Sequence, residues 1–199
     1  MALKNYDLIL HSDPVWFTSD THFGHARIIE MNGRPFNDVE TMDKALIDNW
    51  NERVGQDDIV FHLGDFAFGN TCYWNSILEQ LNGRIYLVWG NHDRKYCNRK
   101  HNYPKIVNIA DQMVLNIKNR TVILNHYPFL CYAGTYRPFQ TYQFFGHVHT
   151  SKFSHGQDIP RLEYLFPTQY DVGVDNNNYK PISFNEIDEI IKQRYTEKR

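Results

Sequence analysis

Five short stretches of this 199-residue chain carry residue types that bind metals and move protons: SDTHFGH at 19–25, GD at 64–65, GNHD at 90–93, NHY at 125–127 and GHVH at 146–149. Aspartate, asparagine and neutral imidazole form a mixed oxygen and nitrogen donor set. Such a set suits Mn²⁺, Fe or Zn²⁺ better than it suits a thiolate-bound metal or calcium. Asp20, His22, Asp65, Asn91, His126, His147 and His149 together offer more donors than one divalent ion takes, and enough for two if one carboxylate bridges. Two adjacent cations form the clamp used for in-line displacement at phosphorus. Taken singly, a DxH or HxH is common in turns, where the aspartate caps and the histidine is merely exposed. The signal is in the ordered set.

Each stretch stands just behind an apolar run, at 15–17, 59–61, 85–89, 122–124 and 144–145. These runs read as buried strands. In open α/β sheets, ligands sit beyond the carboxyl ends of the strands, where loops bring distant side chains together on a rigid base. Glycines at 64, 90 and 146 suit a chain that leaves a strand and turns closely around a ligand. Between the strands, the spacing predicts a helix over 37–54, with Asn37 as cap, Glu40 three residues on, and Val39, Met42, Leu46, Trp50 and Val54 on one face until Gly55. A second helix is expected at 73–81, and a third after a capping box of Ser183 and Glu186, ahead of Ile187, Ile190 and Ile191. The tail at 192–199 reads as a solvated face.

The length corresponds to one domain over 1–199, without repeats or linkers. A formal charge of −2 argues against a long nucleic acid as partner, which normally meets a strongly basic face, and leaves a small phosphorylated substrate open. Three cysteines without CxxC spacing suit a reducing compartment. The apolar run at 8–10 is too short for a signal peptide or membrane span, so the expectation is a cytoplasmic protein without membrane contact.

The ordered set DTH at 20–22, GD at 64–65, GNHD at 90–93, His126 before Tyr127 and GHVH at 146–149 resembles the calcineurin-like metallophosphoesterases. The later stretch VGVDNNNYKPISFNEI is similar to the tail of small bacterial and phage members. The resemblance implies an α/β fold, a four-layer α/β/β/α sandwich of two mixed β-sheets with a dinuclear site at one edge. It implies Asp20, His22 and His149 as ligands of one metal, Asn91, His126 and His147 as ligands of the other, and Asp65 as the bridge. Two divalent ions are expected, manganese first, with Fe, Zn, Ni or Mg as alternatives.

The implied function is hydrolysis of a small phosphodiester or phosphomonoester, including a nucleotide, by a water activated between the metals. The alternatives are a nuclease acting on single-stranded ends and a non-catalytic scaffold of the same fold. His92 beside Asp93 suggests an imidazole oriented by a carboxylate, and hence the general acid for the leaving oxygen. The other reading is a histidine that only fixes the loop, with Asp93 capping the following turn. GDFAFG at 64–69 and GNHD depart from the GDxxDRG and GNHE of protein phosphatases, which disfavours phosphoprotein substrates.

His25 either approaches substrate or caps a helix starting near Ala26. His62 reads as a core histidine, and His11, His101 and His155 as surface residues. Between His126 and His147 lie Tyr127, Phe129, Tyr132, Tyr136, Arg137, Phe139 and Tyr142, an aromatic segment that either stacks a nucleobase and pairs a phosphate or simply packs. Tyr127 and Arg137 are its substrate-binding candidates. Arg27, Arg34 and Arg94 follow site loops as further phosphate candidates.

Overall fold

Alternation along the apolar runs decides which side of each strand is buried against what. The computed structural model describes residues 5–6, 14–97, 101, 103–137, 139–149 and 159–197; His11 and His155 lie outside them. The described strands are β1 (Asn5–Tyr6), β2 (Val15–Thr18), β3 (Ile59–His62), β4 (Arg84–Val88), β5 (Ile106–Ala110), β6 (Met113–Ile117), β7 (Arg120–Leu124), β8 (Thr141–Phe145), β9 (Gln169–Asp171) and β10 (Ile182–Ser183). They form two five-stranded sheets, ordered β10-β2-β3-β4-β5 and β1-β6-β7-β8-β9. Both are mixed: β10 runs antiparallel to β2 and β6 antiparallel to β7, and the other pairings are parallel.

Val15, Phe17, Ile59 and Phe61 point from the first sheet into a core shared with Leu115, Val122, Leu124 and Phe144 of the second. Their neighbours Trp16, Val60, Ile85 and Leu87 point the other way, under the helices. This is the period of two that a strand imposes. The described α-helices are α1 (Ala26–Asn32), α2 (Val39–Arg53), α3 (Thr71–Gln80), α4 (Asp93–Tyr96) and α5 (Phe184–Glu197), and short 3-10 turns span Ile159–Tyr164 and Val174–Asn176. Met42, Leu46 and Trp50 of α2 and Trp74, Ile77 and Leu78 of α3 fill the helical side of the first sheet. Phe184, Ile187 and Ile191 of α5 close the core between the sheets. The expected sandwich of two mixed sheets with flanking helices is present.

Helix boundaries depart from expectation in instructive ways. The cap of α2 is Asp38 and not Asn37: its carboxylate accepts the Thr41 N–H at 2.7 Å, and Glu40 falls inside the first turn. The second helix starts two residues early because Asn70 accepts the Tyr73 N–H at 3.0 Å. The capping box forms as read, with Ser183 N–H donating to Glu186 at 2.9 Å and Glu186 N–H to the Ser183 hydroxyl at 3.3 Å. The tail is less solvated than expected, since α5 continues to Glu197 and Arg194 donates to the Gln169 carbonyl at 2.8 Å while lying over the Tyr170 ring. Cys72, Cys97 and Cys131 are not joined in disulfides. Among the described residues no helix is long and apolar enough to cross a membrane.

Because β2, β3 and β4 are parallel, their carboxyl ends share one edge, and β7 and β8 do the same in the other sheet. The two edges are tied where Ser19 bridges to Gly173 and Val174 N–H donates to the Ser19 carbonyl at 3.0 Å. All five motif loops leave from this seam.

Candidate metal centre

Six of the seven sequence-predicted ligands gather into two clusters, Asp20, His22 and His149 in one and Asp65, His126 and His147 in the other, with the donor atoms of each within 4.8 Å of one another. Asp65 Oδ2 stands 3.7 Å from His22 Nε2 and 3.6 Å from His126 Nε2, so a single oxygen faces both clusters. Asp20 Oδ1 lies 4.0 Å from His22 Nε2 and 3.8 Å from His149 Nε2. Asn91, the seventh, brings its Oδ1 to 3.0 Å from His126 Nε2.

The residues fit a pair of cations on their own chemistry. Asp20 Oδ1 and both His22 ring nitrogens are buried without a hydrogen-bond partner. A buried polar atom left so costs on the order of 1–3 kcal/mol, which a bound cation offsets. Asp20, His22, Asp65, His147 and His149 all adopt the left-handed backbone region, with φ between 50° and 71°. Strain of this kind, of order 1–3 kcal/mol per residue, persists where a site demands it. Close approach explains two glycines. A Cβ on Gly90 would meet Asp65 Oδ1 at 2.1 Å, and one on Gly146 would meet Asp20 Oδ2 at 2.3 Å.

Hydrogen bonds on the far side of two of the rings choose the tautomer. His126 donates Nδ1–H to the Leu63 carbonyl at 2.7 Å, which leaves Nε2 to face Asp65. His149 directs Nδ1 to Asp175 Oδ2 at 2.7 Å and turns Nε2 toward Asp20. Burial, reinforced by the charges of His149 and Arg34, holds His22 well below the ordinary histidine range. Burial also lowers His126, against the pull of Asp65. Burial raises Asp20 and Asp65. For His149, burial is outweighed by Asp20 and by the bond to Asp175, and its pKa rises. His22 and His126 are thus held neutral and ready to ligate, whereas Asp20, Asp65 and His149 favour protons that a divalent cation displaces on binding.

Behind this layer stands a residue that motif reading missed. The Asp175 side chain is buried, and although burial opposes it, His149 and Arg34 hold its pKa at about 2. Arg34 grips both its oxygens, each at 2.9 Å, and donates to the Asp20 and Thr21 carbonyls at 2.7 and 3.0 Å. Arg34 is therefore a buried brace for the first loop and not a phosphate-binding residue, a correction to the sequence reading. Asp175 lies within VGVDNNNYK, the stretch already noted for its similarity to small relatives; that was the available signal.

The Asp93 carboxylate is likewise corrected. It does not orient the His92 ring; its oxygens accept the backbone N–H groups of Asp65, Phe66 and Gly90, each at 2.8 Å. It ties two motif loops together. Burial and the Asp65 charge raise its pKa to about 7. His92 stays poised at the rim, its Nε2 3.9 Å from Asp65 Oδ2 and its side chain 44% exposed. His25 occupies the N-cap position of α1 but makes no side-chain capping bond; its ring stacks on Phe68 at 3.9 Å, with His92 at 6.5 Å. Burial and the His92 charge lower its pKa to about 4. His62 is a satisfied core histidine, bonded to Thr21 at 3.0 Å and to the Gly64 N–H at 3.2 Å.

Tyr127 sets its ring 4.9 Å from His126 and 4.7 Å from His147, at the mouth of the second cluster. Arg94 is paired with Asp111, and Arg137 lies over the Tyr136 ring at 5.3 Å. His101 is exposed, as read from sequence.

Comparison with known proteins agrees with this geometry. The family profile described as calcineurin-like phosphoesterase matches residues 13–180. An uncharacterized protein of Methanocaldococcus jannaschii is 32% identical over 186 residues, covering 90% of this chain and 92% of its own length. The Gene 66 protein of Mycobacterium phage D29 is 33% identical over 132 residues, covering 58% of this chain and 64% of its own. Among solved structures, a protein of unknown function from Aquifex aeolicus superposes with a TM-score of 0.67 at 27% identity, covering 89% of this chain and 98% of that one.

Proposed function

Because the chain belongs to the calcineurin-like phosphoesterase family, we propose that it hydrolyses a small phosphate ester, with a diester preferred over a monoester, using two divalent cations held by Asp20, His22 and His149 and by Asn91, His126 and His147, with Asp65 between them. The observation that carries this reading is Asp65 Oδ2, which faces both clusters at nearly equal distance. When bound, two such cations would supply Lewis acidity, lowering the pKa of a bound water and neutralising phosphoryl oxygens.

The chain's own residues do the rest. Asp93 and Gly90 hold Asp65 in place, and Asp175 and Leu63 aim two imidazoles. His92, half exposed beside Asp65, donates a proton from its ring to the leaving oxygen, which is otherwise a basic alkoxide. His25, stacked on Phe68 next to His92, and Tyr127, beside His147, approach the substrate from opposite loops.

The test is to strip metal from the protein and restore Mn²⁺, Zn²⁺, Fe²⁺, Ni²⁺ or Mg²⁺ in turn, with a chromogenic phosphodiester and monoester as substrates. Metal-restored turnover is expected, with manganese and the diester leading. Absence of hydrolysis with every metal would contradict the proposal and favour a binding role for the fold.

A further inference from the structure

A cavity of about 610 Å³ opens beside the second cluster, with His147 in its wall. Tyr127, Phe129, Leu130, Leu162, Tyr164 and Leu165 make most of the remaining lining. Among the described residues that line it there is no Asp, Glu, Lys or Arg, and apart from His147 their side-chain polar groups are the phenol hydroxyls of Tyr127 and Tyr164. Leu130 is 80% exposed and Tyr164 68%, so large apolar surface stands uncovered at this mouth. Patches of this kind on an otherwise ordinary surface mark binding. The volume is that of a small-molecule site, with room for a ring system.

We propose that this cavity receives the organic group of the substrate, and that this group is uncharged and carries a flat apolar ring. The inference rests on the phosphoesterase reading, since it takes the phosphoryl group to be held at the adjoining clusters. Continuity argues for it: His147 belongs both to a cluster and to the cavity wall, and the Tyr127 ring packs edge-on against His126 and His147. Charge argues for it too, because a second phosphate or a carboxylate there would be desolvated without a counter-charge among the described lining residues. Among the described residues the lining also has no amide or carboxylate side chain to read the edge of a nucleobase. A base would be held by its face, against tyrosine and leucine, and an aryl ring equally well.

A series of diesters with a common leaving group tests this. Methyl, phenyl, 1-naphthyl and thymidine-5′ 4-nitrophenyl phosphates each lose 4-nitrophenolate to water, so leaving-group chemistry is constant and only the retained group varies. With the manganese-loaded protein, the kcat/KM of the 1-naphthyl ester is expected to exceed that of the methyl ester by about tenfold or more, mainly through KM. Leu130→Asp, at an exposed position where folding tolerates it, is expected to bring that ratio near one. If the thymidine ester matches the naphthyl ester, the ring is a base; if it falls between naphthyl and methyl, an aryl group is the better occupant. Equal kcat/KM across the series would overturn the inference while leaving the hydrolase intact. Should no ester turn over, the hydrolase fails, and calorimetric binding of 1-naphthyl methylphosphonate against methyl methylphosphonate still decides the cavity: tenfold tighter naphthyl binding upholds it and equal binding refutes it.

Discussion

His149 and Asp175 are joined by a 2.7 Å hydrogen bond from Nδ1 to Oδ2, and Arg34 closes on the same carboxylate through two bonds of 2.9 Å. The first cluster is thus held from behind by a buried charge pair that also carries the loop of Asp20, through the Arg34 bond to its carbonyl. Asp175→Asn leaves Arg34 buried with no opposing charge. Breaking such a pair costs about 3–5 kcal/mol, and losing the partner of a ligating imidazole lowers metal affinity by about 10- to 100-fold. Urea unfolding and metal titration measure the two effects separately. Wild-type metal affinity in this variant would refute the positioning role.

His92→Ala tests the proton donor. Its ring contributes no bond to the backbone as a cap, and it is half exposed, so folding and metal content should be unchanged. Turnover is expected to fall by about 10²- to 10⁴-fold, most for esters with poorly acidic leaving alcohols and least for 4-nitrophenolate. A uniform loss across leaving groups, or loss of metal, would assign His92 to another role.

Gly90→Ala tests how closely the loops must meet. The new methyl group would clash with Asp65 Oδ1 and with the Asp65 backbone N, at 2.1 and 2.3 Å, and the backbone N has no side-chain rotation by which to give way. Asp65 must shift, so metal stoichiometry is expected to drop at both clusters, not one. Elemental analysis after gel filtration reads this directly.

Acid stability isolates His62. Burial, with a smaller contribution from the His126 charge, lowers its pKa from 6.5 to about 3. Between those values the unfolded chain binds a proton that the folded chain does not, so stability falls as pH falls, by about 1.4 kcal/mol per unit for this group. The contribution is complete above the unfolded pKa and is lost progressively on the way down to about pH 3. His62→Gln, which keeps a donor toward Thr21, should unfold with a shallower pH dependence over that window. An unchanged slope would place the titration elsewhere.

Much of this site is readable because apolar runs and ligand motifs are local. β2, β3, β4, β7 and β8 announce themselves by short apolar runs, and the five motifs behind them follow in order. The rest is hidden for physical reasons. β5 and β6 mix asparagine with apolar residues, and β9 is the three residues Gln169–Asp171, so their strand character comes from the neighbours they pair with. The role of Asp93 is hidden because its partners are backbone amides, two of them in another loop, which no side-chain pattern reveals. Arg34 and Asp175 are 141 positions apart in the chain, and only folding makes one the other's counter-charge.

The central claim is that Asp65 stands between two cations. Anomalous diffraction from a manganese-loaded crystal tests it most directly: two peaks are expected, one among Asp20, His22 and His149 and one among Asn91, His126 and His147, both in contact with the Asp65 carboxylate. A single peak, or a pair that leaves Asp65 uncoordinated, would contradict the account.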